Sequence, residues 1–135
     1  MKRPALIIAV TASPALADCD ALNGLVARDA AKAAAVFAPM SATCQSARQT
    51  TGEALFCYAE HTFRSETATD MAQRIEADIA ACFSAPARQP DTGVNHPDSY
   101  TARWFDVGDA RISLSVKDKG ALGKTLVFLR VVEGD

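Results

Sequence analysis

Four cysteines, Cys19, Cys44, Cys57 and Cys82, and two histidines, His61 and His96, are the side chains here best suited to covalent, redox or metal chemistry. A thiolate redox site places its second cysteine within a helical turn, as in C-x-x-C. A structural zinc site contains at least one tight pair of ligands. Neither C-x-x-C nor C-x-x-C-H occurs, and the shortest spacing is the thirteen residues from Cys44 to Cys57. An even count at wide spacing reads instead as two structural disulfides, which belong to an oxidising compartment.

The histidines offer less. Glu60 and His61 are neighbours in a strand-like stretch, so they point to opposite faces and do not share one ion. His61 reads as a structural histidine on the face of Cys57. His96 lies near Asp91, Asn95 and Asp98, a set suited to a loose metal or acid–base site. His96-Pro97-Asp98 is also ordinary turn chemistry. There is no nucleophile elbow and no glycine-rich phosphate loop. The 16 carboxylates supply many pairs and single out none. A hydrolase or metal-dependent enzyme using His61 or His96 is therefore an alternative reading. The leading one is a non-catalytic domain with no metal or cofactor.

Binding chemistry is better represented. Tyr100 and Trp104 share one strand face, with Phe105 opposite. Arg103, Arg111 and Arg130 come from neighbouring strands. Tryptophan and arginine are common interface anchors. The candidate surface is Arg103, Trp104 and Arg111, with His96 in the long 84–98 segment. Its expected partner is another protein of the cell envelope, engaged as an inhibitor or accessory factor. A small apolar ligand held between helices and sheet is the second binding reading.

These residues need elements to position them. Leu22, Leu25, Val26, Ala30, Ala33, Val36 and Phe37 recur at helical spacing and predict a helix over 20–38, ended by Pro39. A weakly marked strand over 41–48 leads to a turn, Gln49 to Gly52, and a strand over 53–64. Thr67 to Asp70 resembles a capping box and opens a helix over 67–83, with a stripe of Ile75, Ile79, Cys82 and Phe83. Residues 84–98 hold three prolines and read as a loop. Strands follow over 99–107, 110–118 and 124–132. The second alternates cleanly, with Ile112, Leu114 and Val116 inward. The third is apolar on both faces and belongs in the middle of a sheet or under cover on both sides. The order α-β-β-α-β-β-β implies an α+β fold: an antiparallel sheet of about five strands with two helices on one face. This order is broadly similar to that of small secreted inhibitors and secretion-chaperone-like domains, a likeness of element order alone.

Two disulfide pairings fit this order. Helices packing back on neighbouring strands bring Cys19 to Cys44 and Cys57 to Cys82, the favoured set. The alternative has Cys44 facing Cys57 across a hairpin, which leaves Cys19 with Cys82.

The start of the chain agrees with an oxidising compartment. Lys2 and Arg3 precede an apolar run, and Ala15-Leu16-Ala17 forms an A-x-A site, the pattern of a cleaved signal peptide over 1–17. The run is about half of the ~20 residues that a membrane span requires. Leu16 to Cys19 resembles a lipobox, but the charged Asp18 and the odd thiol count left by lipidation argue against it. The expected product is a 118-residue domain, 18–135, periplasmic or secreted. The chain has 14 Lys and Arg against 16 Asp and Glu. Without Lys2 and Arg3 this becomes 12 against 16, a net charge of −4, which opposes nucleic-acid binding.

Overall fold

The structure, a computed structural model, describes residues 19–50, 52–88 and 100–133. The expected signal segment 1–17 and His96 lie outside the described residues.

The described chain runs α1 (Cys19–Val26), α2 (Ala30–Ala33), a 3-10 turn (Ala34–Phe37), β1 (Thr43–Gln49), β2 (Gly52–Thr62), α3 (Glu66–Phe83), β3 (Tyr100–Val107), β4 (Ala110–Lys119) and β5 (Lys124–Glu133). All five strands form one antiparallel sheet in the order β1-β2-β5-β4-β3. The doubly apolar β5 is its centre, as the sequence implies. The fold is a disulfide-stabilised α+β fold.

The helix expected over 20–38 is broken. α1 stops at Val26, and Arg28 turns the chain with a φ of 58°. Asp29 then caps α2, its Oδ1 accepting from the Lys32 amide at 3.2 Å. The two short helices cross so closely that any Cβ on Gly24 would collide with Lys32 Cβ. α3 starts at Glu66, ahead of the Thr67–Asp70 box, with Ser65 as its N-cap residue. The Ser65 hydroxyl bonds Thr67 Oγ1 at 2.9 Å rather than capping an amide. Ser84, in the left-handed region at φ 51°, ends the helix ahead of Pro86.

One sheet face is buried under the helices. Leu55, Cys57 and Ala59 of β2, Val127, Leu129 and Val131 of β5, Ile112 and Leu114 of β4, and Phe105 of β3 alternate inward. They meet Leu22 and Leu25 of α1, Val36 and Phe37 of the 3-10 turn, and Ala68, Met71, Ile75 and Ile79 of α3. The last four recur at the three- and four-residue steps that put them on one side of a helix. Arg74 fixes α3 to the preceding turn, donating from Nη1 to Ala38 O at 2.6 Å and from Nη2 to Val36 O at 2.9 Å.

Both disulfides follow the pairing that the helix-packing argument placed second. Cys44 is bonded to Cys57 and Cys19 to Cys82. The β1–β2 ladder pairs Gln49 with Gly52 and therefore Cys44 with Cys57. α1 packs against α3, so its first residue meets the penultimate residue of α3. The favoured Cys19–Cys44 and Cys57–Cys82 set fails because register within a hairpin outranks the general direction of helix packing. No described cysteine is free.

Candidate functional site

The other face of the sheet carries no described helix, and a series of ring and guanidinium contacts runs across it. Side chains alternate across a pleated sheet, so the register fixes which residues share this face. Trp104 pairs with Ser113, Ser113 with Arg130, and Arg130 with Phe56. The next row joins Asp106, Arg111 and Val132. The row on the other side joins Ala102, Ser115, Phe128 and Tyr58.

Trp104 is held between two guanidinium groups. Arg111 Cζ stands 4.0 Å from the ring centroid and Arg88 Cζ 5.3 Å. Asp106 ties both in place, accepting from Arg111 Nε at 2.9 Å and lying 3.8 Å from Arg88 Nη1. Arg88 reaches this position through its backbone. It forms a two-bond bridge with Trp104 on the outer edge of β3, each amide donating to the other's carbonyl at 2.9 Å. Further along, Arg130 Cζ lies 5.6 Å from the Phe56 centroid, and Tyr58 stacks on Phe128 at 6.1 Å. A cation over an aromatic face is drawn by the ring quadrupole, most strongly with tryptophan.

The charge of this face is opposite in sign to that of the chain. Arg88, Arg111, Lys117, Lys124 and Arg130 stand against Asp106 and Glu60, and Lys124 pairs with Glu60 at 2.9 Å. Near Tyr58 and Glu60 the segment Pro39–Thr43 rises beside the sheet and frames a depression.

Arg103 does not join this set. It is the immediate neighbour of Trp104 on a strand, so it projects to the helix side, where its Nε lies 3.9 Å from Glu76 Oε1 of α3. There it borders a cleft of about 470 Å³ between α3 and β4. One wall is Ser65 and the α3 face of Thr69, Ala72, Gln73 and Glu76, and the floor is Leu114 and Val116. Arg64, Asp118 and Thr125 close the far end. Thr125 Oγ1 donates to Asp118 Oδ1 and accepts from the Arg64 amide, both at 2.7 Å. The expected apolar pocket between helices and sheet is thus an amphipathic cleft with charged ends.

His61 lies on the helix side at the same level, opposite Thr125 in the ladder. It is buried, with Nδ1 3.1 Å from Thr67 Oγ1 and no partner for Nε2 among the described residues. Burial pushes its pKa below the ordinary 6.5. Among the described residues, no group of three His, Cys, Asp or Glu side chains is placed to hold a metal ion.

No protein-family model, curated protein or solved structure matches this chain. The functional reading therefore rests on the two surfaces described above. Among the described residues, no helix is long and apolar enough to cross a membrane. Of the residues singled out in the sequence, Trp104, Arg111 and Arg130 come together, and Arg103 is separated from them. Arg88 was missed, because its place beside Trp104 depends on an edge bridge that no local pattern encodes.

Proposed function

We propose that this chain is an exported, non-catalytic binding domain that engages an acidic surface of another envelope or secreted protein through the open face of its sheet. The observation that carries the reading is Trp104 clasped by Arg88 and Arg111 on a face whose charge opposes that of the chain. A guanidinium already stacked on a ring loses little freedom when it receives a carboxylate, and planar two-point recognition of carboxylates is its particular strength. Tyr58, Phe56 and Phe128 add apolar area beside it. Burial of such aromatic and arginine anchors dominates the energetics of protein interfaces. A second copy docked face to face would set Arg111 and Arg130 against like charge, so an acidic partner fits better than self-association.

Export is supported by the signal-like segment 1–17 and by two closed disulfides. The test is partner capture from envelope extract at low and high salt. Wild-type protein retains a discrete acidic partner whose binding weakens with salt. Arg111→Glu with Arg130→Glu loses it, and Arg103→Gln on the other face keeps it. Retention by the charge-reversed protein would rule out this face. The cleft beneath α3 supports a second binding reading, which is developed next.

A further inference from the structure

We propose that the cleft between α3 and β4 is a binding site for a short zwitterionic peptide of three or four residues. The site is separate from the open sheet face and stands or falls independently of it. α3 lies across β2, β5 and β4, and no helix packs closely on β3, which leaves a groove beside α3 over Leu114 and Val116. Its volume, about 470 Å³, lies in the range of sites that enclose small ligands.

The two ends of the groove carry opposite demands. At one end Arg64 Nε lies 3.4 Å from Asp118 Oδ2, and at the other Arg103 Nε lies 3.9 Å from Glu76 Oε1. Both separations exceed a good charge-assisted hydrogen bond, so each pair is loosely held and can exchange its partner for a charge supplied by a ligand. The Arg64 side chain is 69% exposed against 10% for Asp118, so when that pair opens Arg64 turns to water and Asp118 stays behind. Glu76 and Arg103 are alike in exposure, at 36% and 30%, but Arg103 is also held by its Nη1, which donates to Ala102 O at 2.8 Å, so Glu76 is the one to swing away. Asp118 and Arg103 then take new counter-charges. A buried carboxylate left without a counter-charge is costly, so a simple anion bound at Arg64 would be penalised. A ligand with an ammonium for Asp118 and a carboxylate for Arg103 satisfies both.

The spacing sets its length. Arg103 stands at the level of Leu114, four residues along β4 from Asp118. At roughly 3.3 Å per residue that is about 13 Å. An extended tripeptide spans about 10 Å, and the Arg103 side chain covers the remainder. A free amino acid cannot reach both ends. Ala72, Leu114 and Val116 give the middle residue an apolar bed, and Thr69 and Gln73 offer polar contacts to its backbone.

Calorimetric titration of the oxidised protein with Ala-Leu-Ala tests the assignment, beside its N-acetylated form, its C-terminal amide and free leucine. The free tripeptide binds saturably, and each blocked form and leucine bind about tenfold more weakly or worse, as expected for one lost ion contact. Arg103→Gln weakens the free tripeptide about tenfold and leaves the amide unchanged. Arg111→Glu, on the open face, changes none of these affinities. No saturable heat at millimolar peptide would overturn the proposal. So would blocked forms or leucine binding as well as the tripeptide, a result that the wild-type protein alone can give.

Discussion

Arg111 lies over Trp104 with its guanidinium carbon 4.0 Å from the ring centroid, and its Nε is hydrogen-bonded to Asp106 at 2.9 Å. Three side chains from two neighbouring strands thus hold one another, with Arg88 completing the clasp from the sheet edge. Trp104 is the sole tryptophan of the chain, so its fluorescence reports on this cluster without interference. Arg111→Ala is expected to shift Trp104 emission towards the red and to cost about 0.5–1 kcal/mol of stability by urea unfolding. An unchanged spectrum would mean that the stacking is not held in solution.

The two disulfides differ in the chain they close. Cys19 and Cys82 are 63 residues apart, Cys44 and Cys57 only 13. The loop-entropy argument assigns about 4 kcal/mol to the first and about 3 to the second. Cys19→Ala with Cys82→Ala is therefore the more damaging double variant in equilibrium unfolding. The reverse order would show that the hairpin bridge contributes beyond loop closure. Intact mass of the exported protein is expected to begin at Asp18 and to take up four alkyl groups after reduction and none before it.

His61 makes stability depend on pH. Its folded pKa is lowered by burial below the unfolded value of 6.5. Above 6.5 the imidazole is neutral in both states and the native state bears no penalty. As pH falls below 6.5 the unfolded chain takes up the proton first, so stability declines until the folded pKa is passed. Urea midpoints measured from pH 7.5 to 5 should fall on the acid side, and His61→Gln should flatten that part of the curve. A wild-type curve already flat there would contradict a neutral, buried His61.

Thr125 joins three elements through one hydroxyl, which donates to Asp118 of β4 and accepts from the Arg64 amide between β2 and α3. Thr125→Val keeps the shape and removes both bonds. With a buried carboxylate left short of a donor, the expected loss is about 1–3 kcal/mol. Thr125→Ser restores most of it. Equal losses in both variants would assign the effect to packing.

Much of this arrangement was legible in the sequence, and the misses have physical causes. The alternation of Ile112, Leu114 and Val116 and the doubly apolar run in β5 fix which strands lie inside. The Cys44–Cys57 bond was legible too, since a turn centred between Gln49 and Gly52 puts those positions opposite one another. It was outweighed by a packing argument that holds only when each helix lies on its neighbouring strand, and α1 lies on α3 instead. Adjacent residues on a strand face opposite ways, which already separates Arg103 from Trp104. The break at Arg28 has only Asp29 as a local signal, an N-cap residue inside an otherwise continuous helical pattern. The Arg88 bridge and the cleft had no signal, because the first depends on where the chain after α3 meets the edge of β3 and the second on how far the helical layer extends across the sheet.

The most direct test of the open face as the binding surface is site-specific photocrosslinking in the intact envelope. A benzophenone side chain at Ser113, between Trp104 and Arg130, is compared with one at Ala80, exposed on α3. A discrete adduct with an acidic protein from position 113, absent from position 80 and lost when Arg111→Glu is added, is the predicted result. Adducts from position 80 alone, or a position 113 adduct indifferent to Arg111→Glu, would contradict it.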